Sequence, residues 1–494
     1  MNRLTPEARD LLLRELAQMG SVGRAEWESD ATFTRTFYPV PEHARAFDPD
    51  VVLIVGDRGA GKSELFRAVV QKRLLPAIAR RAPGVRLPPL EANRARWLAG
   101  YPLHADGFDA SGLRHFLQNH SDDRDAATDV WFAYLVRVLQ DKLDLTPSQS
   151  LETLCQRQGG AIEEIYSDFR TVRKEALLAV DALDESLQEA DGWVFVSYDE
   201  LDTVAGYDWP AMGAAIRGLV SFWASYARRW RRLRAKIFLR TDLFRRHTEI
   251  LGADISKLAG NRAELSWSDR NLYSMLVKRI ANTSDSLREY CLRSRVEFEE
   301  DKTLGFIPIV RKAEDVRPLI ERLAGVYMGA NIKKGLTFRW LLDHVRDGRG
   351  KAVPRALVRL LEEAAAQELE NPRAAHQCLL LPTSLRRALD KVSQEHVLQA
   401  NTHELPWLPG VAHRVKGQEV PWGRREVEWC LGRSWDQTWD KQEDVRPPED
   451  NPRDLVDYLI ELGVLRARSD GRIDVPDLFL AGLGLKRKGG VKRR

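Results

Sequence analysis

Val51–Val70 reads VVLIVGDRGAGKSELFRAVV. Five apolar and mostly β-branched residues, Val51 to Val55, run directly into Gly56-Asp57-Arg58-Gly59-Ala60-Gly61-Lys62-Ser63. A helical pattern follows, with Leu65, Phe66, Val69 and Val70 on one face. The stretch is therefore G-x-x-x-x-G-K-S between a buried strand and a helix, the context that gives the motif its meaning. Gly56 and Gly61 allow the loop to wrap with backbone N–H groups turned inward, and the helix N-terminus adds the positive end of its dipole. Asp57, Arg58, Gly59, Ala60 and Glu64 complete the expected cradle. Lys62 is expected to reach the β- and γ-phosphates and Ser63 to offer its hydroxyl to Mg²⁺. The stretch predicts a site for a nucleoside triphosphate.

The chain has 494 residues, enough for about three domains at roughly 150 residues each. Hydrophobic residues make up 44% and charged residues 30%, so sizeable cores can form. The net charge of +4 is small for this length, which confines any nucleic-acid surface to a local patch. Cys155, Cys291, Cys378 and Cys430 are far apart and contain no C-x-x-C pair, which disfavours a zinc ribbon or disulfide framework and fits a reducing compartment. The N-terminal MNRLTPEARDLLLREL is an acid-bearing amphipathic helix rather than a signal peptide. No run of about 18 apolar residues occurs, so no membrane partner is expected and the protein reads as cytoplasmic.

A second informative stretch is Trp193–Asp202, WVFVSYDELD. A strand ending in Asp199-Glu200 suits a Walker B position. Asp199 would orient Mg²⁺ through water, and Glu200 would polarise the attacking water as a general base. More than a hundred mostly helical residues separate it from the P-loop, including helices at Asp129–Leu143 and Ile162–Leu187 and a short strand near His104–Phe108. An extra strand in that interval implies that the two Walker strands are not neighbours in the sheet. The helix Trp209–Trp230 ends in a basic run, Arg228 to Arg234, read either as cations at a helix C-terminus or as a patch facing DNA or a subunit. Ala235–Leu239 is a further strand, and its exit, Arg240-Thr241-Asp242, places Arg240 or Thr241 where a γ-phosphate would be sensed. Ala263–Trp267 reads as the fifth strand.

Beyond Ser268 the pattern turns helical. Pro354-Arg355 opens a helix to Glu368, with Arg355 available to reach bound phosphates. Residues 400–450, broken by proline and tryptophan, read as a linker with helices. Asp454–Leu462 followed by a hairpin with an Asp470-Gly471 turn reads as the end of a winged helix. Lys486–Arg494 holds six cations in nine residues, suited to phosphate-backbone contact or to a solvated tail.

These residues together resemble AAA+/STAND-type bacterial P-loop ATPases. The resemblance rests on Phe37-Tyr38-Pro39, Gly56–Ser63, Tyr198–Asp202, the Leu265–Ser268 turn, the Gly350–Arg355 turn and the closing hairpin. It implies that Lys62 and Ser63 hold phosphate and Mg²⁺, Asp199 the metal and Glu200 the water. It further implies that Arg240 stands at the sensor-1 position and Arg355 at sensor 2, with Arg262 the candidate for a finger acting in trans. An arginine at sensor 1 departs from the usual uncharged AAA+ residue and is similar to STAND proteins. Such proteins are associated with antiphage defence or mobile-element loci.

The expected architecture is an α/β P-loop NTPase core with an ASCE-type parallel sheet, a helical lid and a C-terminal winged-helix-like domain. Its parts are an N-terminal helical lead (1–45), the ATPase core with a helical insertion (46–267), the lid (268–400), and a linker with the winged-helix-like domain and basic tail (401–494). The leading function is an ATP-hydrolysing switch whose nucleotide state controls assembly of a homo-oligomer or engagement of an effector or sensor protein. A DNA-binding loader or initiator using the basic C-terminus is the alternative, and an ATP-bound scaffold with little turnover is a third. The absence of an N-K-x-D segment favours ATP over GTP.

Overall fold

The computed structural model describes residues 4–20, 30–70, 73–101, 109–121, 123, 125–143, 162–206, 208–248, 258, 260–370, 378–403, 405–433, 435 and 446–488. The chain divides into two compact units. Pro39–Ser266 forms one, and Met1–Tyr38 with Trp267–Arg494 forms the other.

The 39–266 unit is built on one sheet. Its strands are Leu53–Gly56 (β1), Ala95–Tyr101 (β2), Trp193–Tyr198 (β3), Leu233–Arg240 (β4) and Ala263–Leu265 (β5). They run parallel in the order β2-β3-β4-β1-β5. All of β1 and nearly all of β3 and β4 are buried, which explains why their sequences are continuous apolar runs without alternation. β4 separates β1 from β3, so the P-loop strand and the Asp199 strand are not adjacent. This is an α/β P-loop core of the ASCE type.

One strand was not anticipated from the sequence. β2 lies at Ala95–Tyr101, ahead of the strand expected near His104–Phe108, and residues 102–108 lie outside those described. The expected helices are present as Ala126–Leu143, Ile162–Glu189 and Trp209–Tyr226. Their aromatic residues form the core, with Phe132 ringed by Phe169 and Phe222 at centroid distances of 5.2 and 5.3 Å. Trp131 donates its indole N–H to the Ala215 carbonyl at 2.8 Å. Gly218 lets these helices meet, because a Cβ there would lie 2.5 Å from the Ala127 Cβ.

His43 is buried, and its Nε2 lies 2.9 Å from the Ser266 carbonyl oxygen. A carbonyl only accepts, so Nε2 carries the proton. Burial pulls the imidazole pKa from 6.5 down to about 4, outweighing that hydrogen bond. The folded protein thus keeps His43 neutral where the unfolded chain takes up a proton. Stability is expected to be full above pH 6.5 and to fall as pH drops towards 4, on the order of 3 kcal/mol from this group. Urea denaturation across that range checks this. A His43→Phe variant with an unchanged profile would remove His43 as the cause.

The other unit is largely helical. Ser268 caps the helix Asp269–Thr283 by accepting from the Asn271 N–H at 3.2 Å. Arg346 donates to both Asp269 carboxylate oxygens at 2.8 Å. The helices Pro354–Glu370 and Pro382–His403 pack together, and the N-terminal helix Pro6–Ala17 joins them through a buried Arg9–Glu368 pair at 2.8 Å. Within the stretch read as a linker, Leu408–Val415 and Arg424–Gly432 are helical. Trp422-Gly423 pairs with Arg472–Asp474, which pairs with Arg466–Ala467. With the helix Pro452–Glu461 these form the winged-helix-like end. Lys486-Arg487 pairs with Glu419-Val420, and residues 489–494 of the expected basic tail lie outside those described.

Candidate functional site

β1 ends at Gly56, whose register partners are Arg240 on β4 and Leu265 on β5. The chain then turns through Asp57 to Gly61 before the helix Lys62–Val70. Gly59 and Gly61 have φ values of 72° and 94°, the left-handed region that side chains disfavour. A Cβ on Gly56 would meet the Leu265 Cβ at 3.1 Å, so that position is also held close. Lys62 folds back over the loop and donates from Nζ to the carbonyls of Gly56 at 3.1 Å and Asp57 at 3.2 Å. The cation is thereby pre-placed at the mouth of the cradle.

Asp199 ends β3 and is only 3% exposed. Its N–H donates to the Tyr101 carbonyl at 2.7 Å, which ties the strand end to β2. Burial raises its carboxyl pKa, opposed by the Ser63 hydroxyl and the Lys62 charge. A divalent cation at this position would relieve the same desolvation. Ser63 and Asp199, paired from sequence as metal-binding residues, are thus in hydrogen-bonding reach of each other. Glu200 follows with φ 55°, a left-handed conformation for a residue with a side chain. Its carbonyl accepts from the Thr203 N–H at 3.1 Å and from the Thr203 hydroxyl at 2.9 Å.

Arg240 is buried at the carboxyl end of β4. Its guanidinium donates to Asp242 twice, at 3.1 and 2.7 Å, and to Asp202 at 3.4 Å. Sequence reasoning named Arg240 but missed these two carboxylates. It also missed Tyr101, whose hydroxyl is pushed up to about 12 by burial, eased by a hydrogen bond with Thr203 and raised further by Glu200 and Asp202. The signal in sequence was only that β2 ends in a tyrosine. The structure shows the register break between Ala99 and Tyr101 that places it.

Gly56 to Glu64, Asp199, Glu200 and Arg240 therefore all belong to the 39–266 unit, at the carboxyl ends of β1, β3 and β4. Arg262 is in the same unit. It stacks over Phe244 at 5.3 Å and donates to Glu264 at 2.7 Å. Arg355 belongs to the other unit, in the first turn of Pro354–Glu370, and its Nε has no hydrogen-bond partner.

Some cations of the stretches read as possible DNA contacts are paired with carboxylates. Arg229 makes a two-pronged contact with Asp181 at 2.8 and 2.6 Å, and Arg232 pairs with Asp191 at 3.0 Å. In the C-terminal hairpin, Arg466 and Arg468 pair with buried Asp474 at 2.9 and 3.3 Å, as does Arg487. Arg472 pairs with Asp470 at 2.7 Å and holds that carboxyl down at about 2.

No protein-family model matches the sequence, and no curated protein matches it. Among solved structures, a Walker-type ATPase of Pyrococcus abyssi is 15% identical, with a TM-score of 0.35, and the alignment covers 95% of this chain and 99% of that one. The ORC2 protein of Aeropyrum pernix, solved as ADPNP-ADP complexes, is 12% identical with a TM-score of 0.36 and 95% coverage of both chains. Cdc6p from Pyrobaculum aerophilum is 11% identical with a TM-score of 0.28 and 93% coverage of both chains.

Proposed function

We propose that this chain is an ATP-binding and ATP-hydrolysing switch of the AAA+ kind. The observation that carries the reading is the Lys62 ammonium set over the P-loop carbonyls beside a buried Asp199 that the Ser63 hydroxyl reaches. Backbone N–H groups of Gly59 to Ser63 and the Lys62 ammonium bind the phosphates. Ser63 and Asp199 hold Mg²⁺, which when bound neutralises charge on the phosphate oxygens. Glu200 orients water and takes its proton. Arg240, held between Asp202 and Asp242, is the sensor of the γ-phosphate, and Arg355 keeps the sensor-2 role that the resemblance implies. Nucleotide state then controls assembly or partner engagement. The link to antiphage defence rests on the sequence resemblance alone.

The test is steady-state ATP turnover by the purified chain. Turnover should require Mg²⁺ and stop on chelation with EDTA. Arg355→Ala should lower turnover about tenfold, the scale of one lost charge-assisted contact to phosphate. A chain that neither binds nor hydrolyses ATP overturns the reading.

A further inference from the structure

Ile332 is the most exposed large apolar side chain among the described residues, at 67%. It sits at the tip of a closed loop in the helical unit. Tyr327 and Leu336 pair across the neck, and the Met328 N–H donates to the Gly335 carbonyl at 2.9 Å. Every residue from Gly329 to Gly335 is exposed. Seven consecutive exposed residues closed at the neck make a projection rather than a groove.

The projection is well fixed. Asn331 accepts from the Lys333 N–H at 3.1 Å through its side chain and from the Lys334 N–H at 3.0 Å through its carbonyl. Gly335 closes the turn with φ 87° and donates to the Ile332 carbonyl at 3.0 Å. The Lys334 stem lies across Gly329, where an added Cβ would come within 2.7 Å of its Cγ. Arg386, from the helix Pro382–His403, donates to the Met328 carbonyl at the neck. An ordered tip loses little conformational entropy on binding.

The charges around this tip contrast with the arginines of the terminal hairpin. Lys333, Lys334, Arg339 and Arg387 are exposed, and none of them pairs with a carboxylate among the described residues. An isolated cation is ordinarily solvated, and an isolated exposed isoleucine is ordinary too. Here a rigid convex tip combines an uncovered aliphatic side chain with two adjacent unpaired lysines and further cations at its base.

We propose that the Gly329–Gly335 loop is a contact site for duplex DNA, with Lys333 and Lys334 on backbone phosphates and Ile332 against the sugars or base edges of the minor groove. The convex shape selects a grooved partner. A minor groove about 6 Å wide admits one aliphatic side chain between two phosphate-lined walls. Flexible-stemmed lysines supply charge without base discrimination, so binding is expected to be weakly sequence-dependent. Its residues are distinct in sequence from those of the P-loop and of the C-terminal hairpin and tail.

Fluorescence anisotropy of a labelled duplex, titrated with the full chain at several salt concentrations, tests it. Lys333→Ala/Lys334→Ala should lower the slope of log K against log salt by about 1.8, at 0.9 per phosphate, and weaken binding on the order of tenfold or more near 0.1 M salt. Ile332→Ser should weaken binding severalfold and leave the slope unchanged. Deleting Lys486–Arg494 should leave the effect of the double substitution intact. Wild-type chain that does not bind the duplex overturns the proposal, as does a double variant with wild-type affinity and slope. Binding only to anionic phosphatidylserine vesicles overturns it in favour of a membrane surface. ATP turnover without DNA should be the same in wild type and both loop variants, so the ATPase reading is judged separately.

Discussion

Glu200→Gln is expected to lower ATP turnover by about 10²- to 10⁴-fold, the usual contribution of a positioned general base. The amide keeps the size and shape of the carboxylate but cannot take the proton from water. Position favours Glu200 for this task over its acidic neighbours. Asp199 is buried against Ser63 and Lys62, and Asp202 and Asp242 are engaged with Arg240. Glu200 alone stands in the left-handed conformation, with φ 55° and its carbonyl fixed by Thr203. A side chain held in that region costs on the order of 1–3 kcal/mol, and the surrounding hydrogen bonds maintain it. ATP affinity should change little, because Lys62 and the loop N–H groups are untouched. Single-turnover hydrolysis and equilibrium binding of ATP separate the two effects. Undiminished hydrolysis would exclude Glu200 as the base, and loss of binding would show that the substitution disturbed the loop instead.

The second large effect is on stability. Arg9→Ala is expected to cost about 3–5 kcal/mol, the range for breaking a buried ion pair from one side. Arg9 donates from Nη2 to Glu368 Oε2 at 2.8 Å and to the Leu379 carbonyl at 2.8 Å. The Glu368 side chain is 1% exposed, and its other oxygen accepts from the Leu381 N–H at 3.0 Å and the Ser384 hydroxyl at 2.5 Å. Without Arg9 the carboxylate keeps those two donors and loses its only countercharge among the described residues. Arg9→Met/Glu368→Leu should recover much of the loss, since an apolar pair of similar volume removes the stranded charge. Chemical denaturation of the single and double variants measures both. A single-variant loss below about 1 kcal/mol would mean that water reaches Glu368 and screens it.

Much of the candidate site was legible because the spacing of its loop is dictated by backbone geometry. Gly59 and Gly61 are needed for their φ values, and Lys62 and Ser63 for their place at a helix start, so the pattern survives in one dimension. Asp199-Glu200 was legible because a buried strand that ends in two acids has few other uses. β2 was missed because Ala95–Tyr101, ARWLAGY, carries an arginine and a glycine that dilute the strand pattern. The acids around Arg240 could not be anticipated, since Asp202 lies 38 residues away and only the fold brings it near. The terminal hairpin was found from Asp470-Gly471, but the pairing of its cations was not. Asp474 is hidden among Arg466, Arg468 and Arg487, and a tally of cations does not show such neutralisation.

The Arg9–Glu368 pair also constrains how the polypeptide is made. The two residues are 359 positions apart, with the whole Pro39–Ser266 unit encoded between them. At roughly 5–20 residues per second on the ribosome, Glu368 is synthesised about 20–70 s after Arg9. The parallel sheet has all its strands before the first helix has any partner. The partner helices Asp269–Thr283, Asp285–Leu292 and Pro354–Glu370 all follow the sheet, so Leu12, Leu13 and Leu16, buried in the finished protein, wait for them in turn. The helix Pro6–Ala17 thus waits for partners encoded after the whole sheet, and nascent-chain handling factors that shield apolar helices have their natural client there.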